Sequence, residues 1–152
     1  MSTTVEQLLA HKSQHIWFVA PDATVQQAVA LFGQHEIGAV LVCDDSGLIG
    51  ILNERCCVQK LLYEGTATLA SRVREVMRTD VTAIAPTDRI ERCMSLMTEL
   101  RTRHLPVVDR GRVVGVISMG DVIFEMIGER DSMIESLEGY ISGSPSVRPP
   151  AH

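Results

Sequence analysis

The chain has 152 residues, 45% of them hydrophobic, and a formal net charge of −5. That is enough apolar material for one packed core, while the acidic balance argues against a nucleic-acid partner, whose phosphates require clustered Lys and Arg. No apolar stretch nears the roughly 20 residues of a membrane span, and residues 1–6 lack the charged and apolar regions of a signal peptide, so a cytoplasmic protein with no membrane partner is expected.

In chain order, Val5 to Leu9 reads as a short lead-in helix. After Phe18 comes a small polar cluster, Pro21-Asp22-Ala23-Thr24, and then apolar residues at helical spacing, Val25, Ala28, Val29 and Phe32. Ala39-Val40-Leu41-Val42-Cys43-Asp44 is too short for a helix and reads as a buried strand. The Ser46-Gly47 turn and Leu48-Ile49-Gly50-Ile51-Leu52 complete a hairpin, and Val58, Leu61 and Leu62 mark a closing helix. Tyr63 to Ser71 is a connector, and Val73 to Met77 is a second lead-in. The pattern then recurs: Pro86-Thr87-Asp88, a helix carrying Ile90, Cys93, Met94 and Met97, a strand Leu105-Pro106-Val107-Val108-Asp109, and a turn at Arg110-Gly111. A strand Val113-Val114-Gly115-Val116-Ile117 and a helix with Val122, Ile123, Met126 and Ile127 complete it.

Phe18 to Leu62 lies on Ala83 to Ile127 without a gap, 65 residues on, with Ala20/Ala85, Pro21/Pro86, Leu31/Leu96, Val42/Val107, Asp44/Asp109 and Gly50/Gly115 identical. A duplicated unit of this length points to two modules packed together, with any ligand site where they meet. Each copy runs strand, helix, strand, strand, helix, so the expected fold is mixed α/β (α+β): repeat one over residues 5–66 and repeat two over 73–130, each with its own lead-in. A separate amphipathic helix is expected over 131–143, from Met133, Ile134, Leu137 and Ile141, and a disordered Pro-rich tail over 144–152.

Cys43, Cys56, Cys57 and Cys93 show no C-x-x-C spacing and read as reduced thiols, and His11, His15, His35, His104 and His152 fall at no metal-ligand spacing. Neither phosphate-binding loop motif occurs, and Ser118 is not in a nucleophile elbow because Val116 stands where Gly is needed, so no enzymatic activity, metal or required cofactor is expected.

The duplicated unit, the run Arg103-His104-Leu105-Pro106-Val107-Val108-Asp109 and the closing Gly115-Val116-Ile117-Ser118-Met119-Gly120-Asp121-Val122 resemble a tandem pair of cystathionine-β-synthase (CBS) domains, two βαββα repeats packed about a pseudo-twofold axis. The stand-alone bacterial members are the nearest in kind, and Tyr140-Ile141-Ser142-Gly143 resembles a segment near the end of some of them. The resemblance implies a regulatory module that binds an adenosine-containing ligand, AMP, ATP, NAD(H) or S-adenosylmethionine, in clefts between the repeats. Its signature is Gly, apolar, any, Ser/Thr, any, any, Asp where the last strand turns into the last helix. There a Ser or Thr caps the helix and faces an anion, and the Asp one turn on can accept bonds from ribose hydroxyls.

Repeat two carries the full set, Gly115, Ser118 and Asp121. Repeat one carries Gly50, Asn53, Arg55 and Cys56, and a thiol is a poor acceptor for a ribose diol. Carried over from the family, the first site joins Ser118 and Asp121 to Ile16, Trp17, Ile37, Gly38 and Ala39. The second, weaker site joins Asn53, Arg55 and Cys56 to Val81, Thr82, Arg103, His104, Leu105 and Pro106. Plainer readings stand beside these: Ser118 and Asp121 as a helix cap, Trp17 as core filling, His104 as a surface histidine, and Gly38-Ala39 as a close-packing step. Two functions are therefore in view. One is an adenine-nucleotide sensor acting on an unknown effector protein; the other is a structural or oligomerisation module with degenerate clefts. A homodimer is expected under either.

Overall fold

A computed structural model of the chain describes residues 3–12 and 15–142, together with all side chains in that span except 132, 133, 136 and 138–142. The helices are α1 Val5–His11, α2 Val25–His35, α3 Glu54–Val58, α4 Ile90–Leu100 and α5 Met119–Ser142. The strands are β1 Phe18–Val19, β2 Ala39–Asp44, β3 Gly47–Asn53, β4 His104–Asp109 and β5 Arg112–Ser118. A single π-helical turn, Gln59–Tyr63, prolongs α3.

The duplication carries through to backbone detail. β2–β3 and β4–β5 are antiparallel hairpins whose registers shift between Val42/Cys43 and between Val107/Val108, equivalent positions. α2 and α4 both end on a non-glycine residue in the left-handed region, Glu36 (φ 52°) and Arg101 (φ 54°), again equivalent. The first strand of each unit is short. β1 pairs parallel with β2 over two residues, and its counterpart shrinks to one bridge, Ile84 to Val107. The βαββα pair read from the sequence is thus the observed architecture.

The lead-ins, however, are exchanged. α1, capped by a Thr4–Gln7 box, does not pack on the repeat it precedes. The Val5 amide donates to Asp88 O at 2.8 Å and Glu6 to Pro86 O at 2.9 Å. Val5, Leu8 and Leu9 are buried among Ile84, Ile90, Met97, Leu105, Ile117 and Val122 of repeat two. Conversely the amide of Val73 donates to Ala23 O at 2.8 Å and Arg74 to Pro21 O at 3.0 Å, and Val73 and Val76 complete the core of repeat one with Val25, Ala28, Val40 and Leu52. Periodicity marks a buried face but not which core it enters. The second lead-in is also only a 3₁₀ turn, Val73–Glu75.

The exchange explains why both units keep glycine at one place. A Cβ on Gly115 would lie 2.8 Å from Leu9 Cδ2, and one on Gly50 would lie 2.7 Å from Met77 Sδ and 2.8 Å from Arg78 O. At the C-terminal end, α5 is one helix of 24 residues, so the closing helix of repeat two and the helix expected over 131–143 are continuous up to Ser142. Gly128 has open space about its Cα and lowers helix propensity by about 1 kcal/mol without breaking the backbone ladder. The side chains of Met133 and Ile141, Gly143 and the tail 144–152 lie outside the described residues. No helix among the described residues is long and apolar enough to cross a membrane.

Candidate ligand site between the repeats

The site is built at the corner where β5 becomes α5. The Ser118 amide donates to Asp121 Oδ2 at 2.8 Å and the Asp121 amide donates to Ser118 Oγ at 3.1 Å, a reciprocal cap. The exchanged lead-in brings Lys12 to the same place, where its Nζ donates to Asp121 Oδ2 at 2.7 Å and to Val116 O at 2.8 Å. Burial pushes the Asp121 carboxyl up, but the Lys12 ammonium and the Ser118 groups outweigh it and hold the pKa below the ordinary carboxylate value. Asp121 is thus an anchored carboxylate, and also the helix cap that the plainer reading foresaw.

In front of this corner lies a cavity of about 500 Å³ walled by both repeats. Ile16, Trp17, Ile37, Gly38, Ala39 and Ser118 all line it. Asp121 is not in the wall itself; Lys12, which holds it, is. Leu9, Leu41 and Val116 supply apolar surface. Trp17 stacks on His35 with centroids 3.6 Å apart and planes 16° apart, and His15 stands 5.9 Å from the other ring. The indole therefore belongs to the cavity wall as well as to the edge of the repeat-one core. Gly38 is small for a different reason than room for a ring: a Cβ there would meet Glu54 Oε1 at 3.0 Å and His104 Cε1 at 3.6 Å.

Sequence reasoning missed Lys12, His15, His35 and Glu36, which also line the cavity. Lys12 was hidden by the exchange, since its approach depends on α1 crossing to repeat two. His104, placed in the second site from the sequence, lines the first cavity as well. Burial pushes its imidazole pKa down, Lys12 and Arg103 act the same way, and Asp121 opposes them, so the ring is neutral at pH 7. Its Nδ1 is buried with no hydrogen-bond partner among the described residues.

The second set of residues does not come together in one cavity. Val81, Thr82, His104, Leu105 and Pro106 surround only about 20 Å³. Asn53, Arg55 and Cys56 line a separate cavity of about 390 Å³, and Arg103 is exposed and lines neither. Arg78 stands between the two: its backbone pairs with Ile51 at 2.9 and 3.0 Å, and it lines both. Asn53 caps α3 as Ser118 caps α5, with Cys56 N–H donating to its Oδ1 at 2.8 Å, and the Cys56 sulfur takes the place of the Asp121 carboxylate against the Asn53 amide at 3.1 Å. A hydrogen bond from Cys57 holds the Cys56 thiol down at about 7 against its burial, and the same contact pushes Cys57 up. Burial pushes Cys93 up to about 11. Among the described residues no group of His, Cys, Asp and Glu is arranged to hold a metal ion.

The profile of the CBS domain matches twice, over residues 5–63 and 73–128. The chain belongs to the CBS domain family. Among similar CBS proteins, the mitochondrial CBS domain-containing protein CBSX3 of Arabidopsis thaliana is 30% identical over 152 residues, 93% of this chain and 73% of that protein. YhcV of Bacillus subtilis is 33% identical over 104 residues, 68% of this chain and 74% of that one. The crystal structure of the CBS-domain protein ATU1752 from Agrobacterium tumefaciens superposes with a TM-score of 0.77 at 35% identity, covering 83% of this chain and 95% of that one. The CBS domain pair of MJ0100, solved in complex with 5′-methylthioadenosine and S-adenosylmethionine, shares the fold at 20% identity and a TM-score of 0.72, covering 86% and 99%.

Proposed function

We propose that this CBS pair is a cytoplasmic regulatory module, not an enzyme, and that it senses an adenosine-containing nucleotide in the cavity between its repeats. The observation that carries the reading is the cavity itself: about 500 Å³, apolar on its base-facing side, with the Ser118–Asp121 corner and the Lys12 ammonium at one end. Apolar walls with a few converging polar groups suit a purine nucleoside. Ile16, Trp17, Ile37 and Ala39 face the base, and Asp121 accepts from the ribose hydroxyls through the oxygen that Lys12 leaves free. Lys12 is the only lysine or arginine among the described residues of the cavity wall, and it favours ligands that carry phosphate or another anion beside the nucleoside. The adenosine compounds held by the MJ0100 pair are in keeping with this chemistry.

Because repeat one supplies residues 15–17, 35–39 and 41 of the wall and repeat two supplies 104, 115, 116 and 118, a ligand touching both favours one arrangement of the repeats. It shifts that equilibrium only by its difference in affinity for the two arrangements. The output surface is apolar: Val58 at the end of α3, Leu62 and Tyr63 on the turn that prolongs it, and Ile123, Phe124 and Ile127 on α5, are exposed and occupy equivalent regions of the two repeats. Large exposed apolar patches mark interaction sites, and a second copy of the chain covers this one in our reading, with an effector protein as the further partner.

Thermal unfolding with AMP, ATP, NADH and S-adenosylmethionine tests the proposal. A ligand at about a hundred times its Kd adds roughly 2.7 kcal/mol, a rise of about 5 to 10 °C for a chain of this size, and the rise disappears in Asp121→Ala. No rise with any of the four leaves the structural module as the reading.

A further inference from the structure

The second cleft is not simply a weaker copy of the first. Shifting the residues of the first cavity by 65, forward from repeat one and back from repeat two, leads to most of those that line the second cleft. Ala39 becomes His104, Trp17 becomes Thr82 and Leu41 becomes Pro106. His104, Thr82, Pro106, Ile51 and Arg78 wall this end, where Ile51 and Arg78 pair their backbones. What remains at the nucleoside end is about 20 Å³, space for about one water molecule and not for a purine.

The other end is open and strongly cationic. Its cavity of about 390 Å³ is lined by Arg55, Lys60, Arg78 and Arg101, with no Asp or Glu among the described residues of the wall. Four of the chain's 14 lysines and arginines thus share one cavity in a protein of net charge −5, a concentration that composition does not explain. Two of the four have carboxylates beside them: Arg78 holds Asp80 at 2.9 Å and Lys60 lies 3.8 Å from Glu64. Among the described residues Arg55 and Arg101 have no carboxylate within ion-pair distance, and Arg55 Nη1 merely leans on Arg101 O at 3.5 Å. Cations that share one wall without carboxylate partners favour an anion in the cavity.

We propose that this half-cleft is an oligophosphate site with no nucleoside pocket, distinct from the cavity at Ser118–Asp121. Phosphate fits because planar guanidinium forks bind its oxygens in pairs. Several phosphates fit because the cations line one continuous wall. The anion is either a free di- or triphosphate or the phosphate tail of a nucleotide whose base stays outside. Cys56 is part of the same wall, so an occupant covers its sulfur.

The test is calorimetry at low ionic strength, where exposed cations are least screened, with sodium triphosphate, adenosine and ATP. The proteins are the wild-type chain, Asp121→Ala, and the double variant Arg55→Ala/Lys60→Ala. Triphosphate binding is expected to weaken by about tenfold or more in the double variant and to be unchanged in Asp121→Ala. Adenosine binding follows the reverse pattern, so failure of this proposal and failure of the nucleoside reading are seen separately. On the wild-type protein, triphosphate should also slow alkylation of Cys56 by iodoacetamide, mapped by peptide mass. ATP that still binds Asp121→Ala and protects Cys56 supports the site with a nucleotide tail as its anion; triphosphate binding without ATP binding supports it with free oligophosphate. No triphosphate binding with no protection of Cys56, or binding that the double variant leaves intact, overturns the proposal.

Discussion

Replacing Lys12 by Met isolates the interaction that ties the exchanged lead-in to the signature corner. The side chains of Lys12 and Asp121 are 33% and 25% exposed, so the pair lies between a surface ion pair, worth about 0–1 kcal/mol, and a buried one, whose breakage costs about 3–5 kcal/mol. Methionine keeps the apolar stem but leaves Asp121 with only the Ser118 groups, and it removes the bond to Val116 O. A loss of about 2 kcal/mol at pH 7 follows. The pH dependence gives the sharper check. The folded pKa of Asp121 lies below its unfolded value of 3.8, so its contribution is present above that value and is lost as pH falls through the folded pKa. Without Lys12 two of the contributions that hold the pKa down are lost, and the carboxyl protonates at a higher pH than in the wild type. Urea unfolding of the wild type and Lys12→Met should therefore differ most near neutrality, and the difference should shrink to about 1 kcal/mol or less, the share of the neutral Val116 bond, once both carboxyls are protonated. A difference that stays constant from pH 7 down to pH 2.5 would refute the ion pair as its source.

The exchange predicts that Leu9→Ala, although it lies before repeat one in the chain, destabilises the protein by about 2–5 kcal/mol through repeat two, because Leu9 is buried among Ile84, Met97 and Leu105. Hydrogen exchange should then show earlier loss of protection in α4, β4 and β5 than in α2, β2 and β3. The covered-surface reading predicts that Leu62→Asp with Phe124→Asp, at side chains 73% and 70% exposed, lowers the mass measured by light scattering to that of one chain without lowering Tm; an unchanged mass moves the interface elsewhere.

Much of this was legible in the sequence because the chain says it twice. The 65-residue offset gave both hairpins and both long helices, and the family resemblance put Ser118 beside Ile16, Trp17, Ile37 and Ala39. The Cys56-for-Asp121 difference raised the expectation of unequal clefts. What stayed hidden depends on tertiary contact. Nothing in the pattern of Val5, Leu8 and Leu9 tells which repeat they enter, and Lys12 could not be assigned until that was known. Glu36 and Arg101 end their helices in a conformation usually left to glycine or asparagine, so residue type gave no cue. His104 reads as a surface residue beside Pro106, yet its Nδ1 is buried and it lines the first cavity next to Gly38. The long α5 continues past Gly128 into the helix expected to be separate over 131–143, because one Gly weakens a helix without ending it.

The most direct test of the central claim uses Trp17, the chain's single tryptophan, which stacks on His35 in the wall of the first cavity. Adenosine titrated into the wild-type protein should change the indole fluorescence saturably, and Asp121→Ala, verified as folded by circular dichroism, should abolish the change or shift its midpoint by about tenfold or more. A flat titration, or one with the same midpoint in Asp121→Ala, would contradict the assignment of this cavity as an adenosine site.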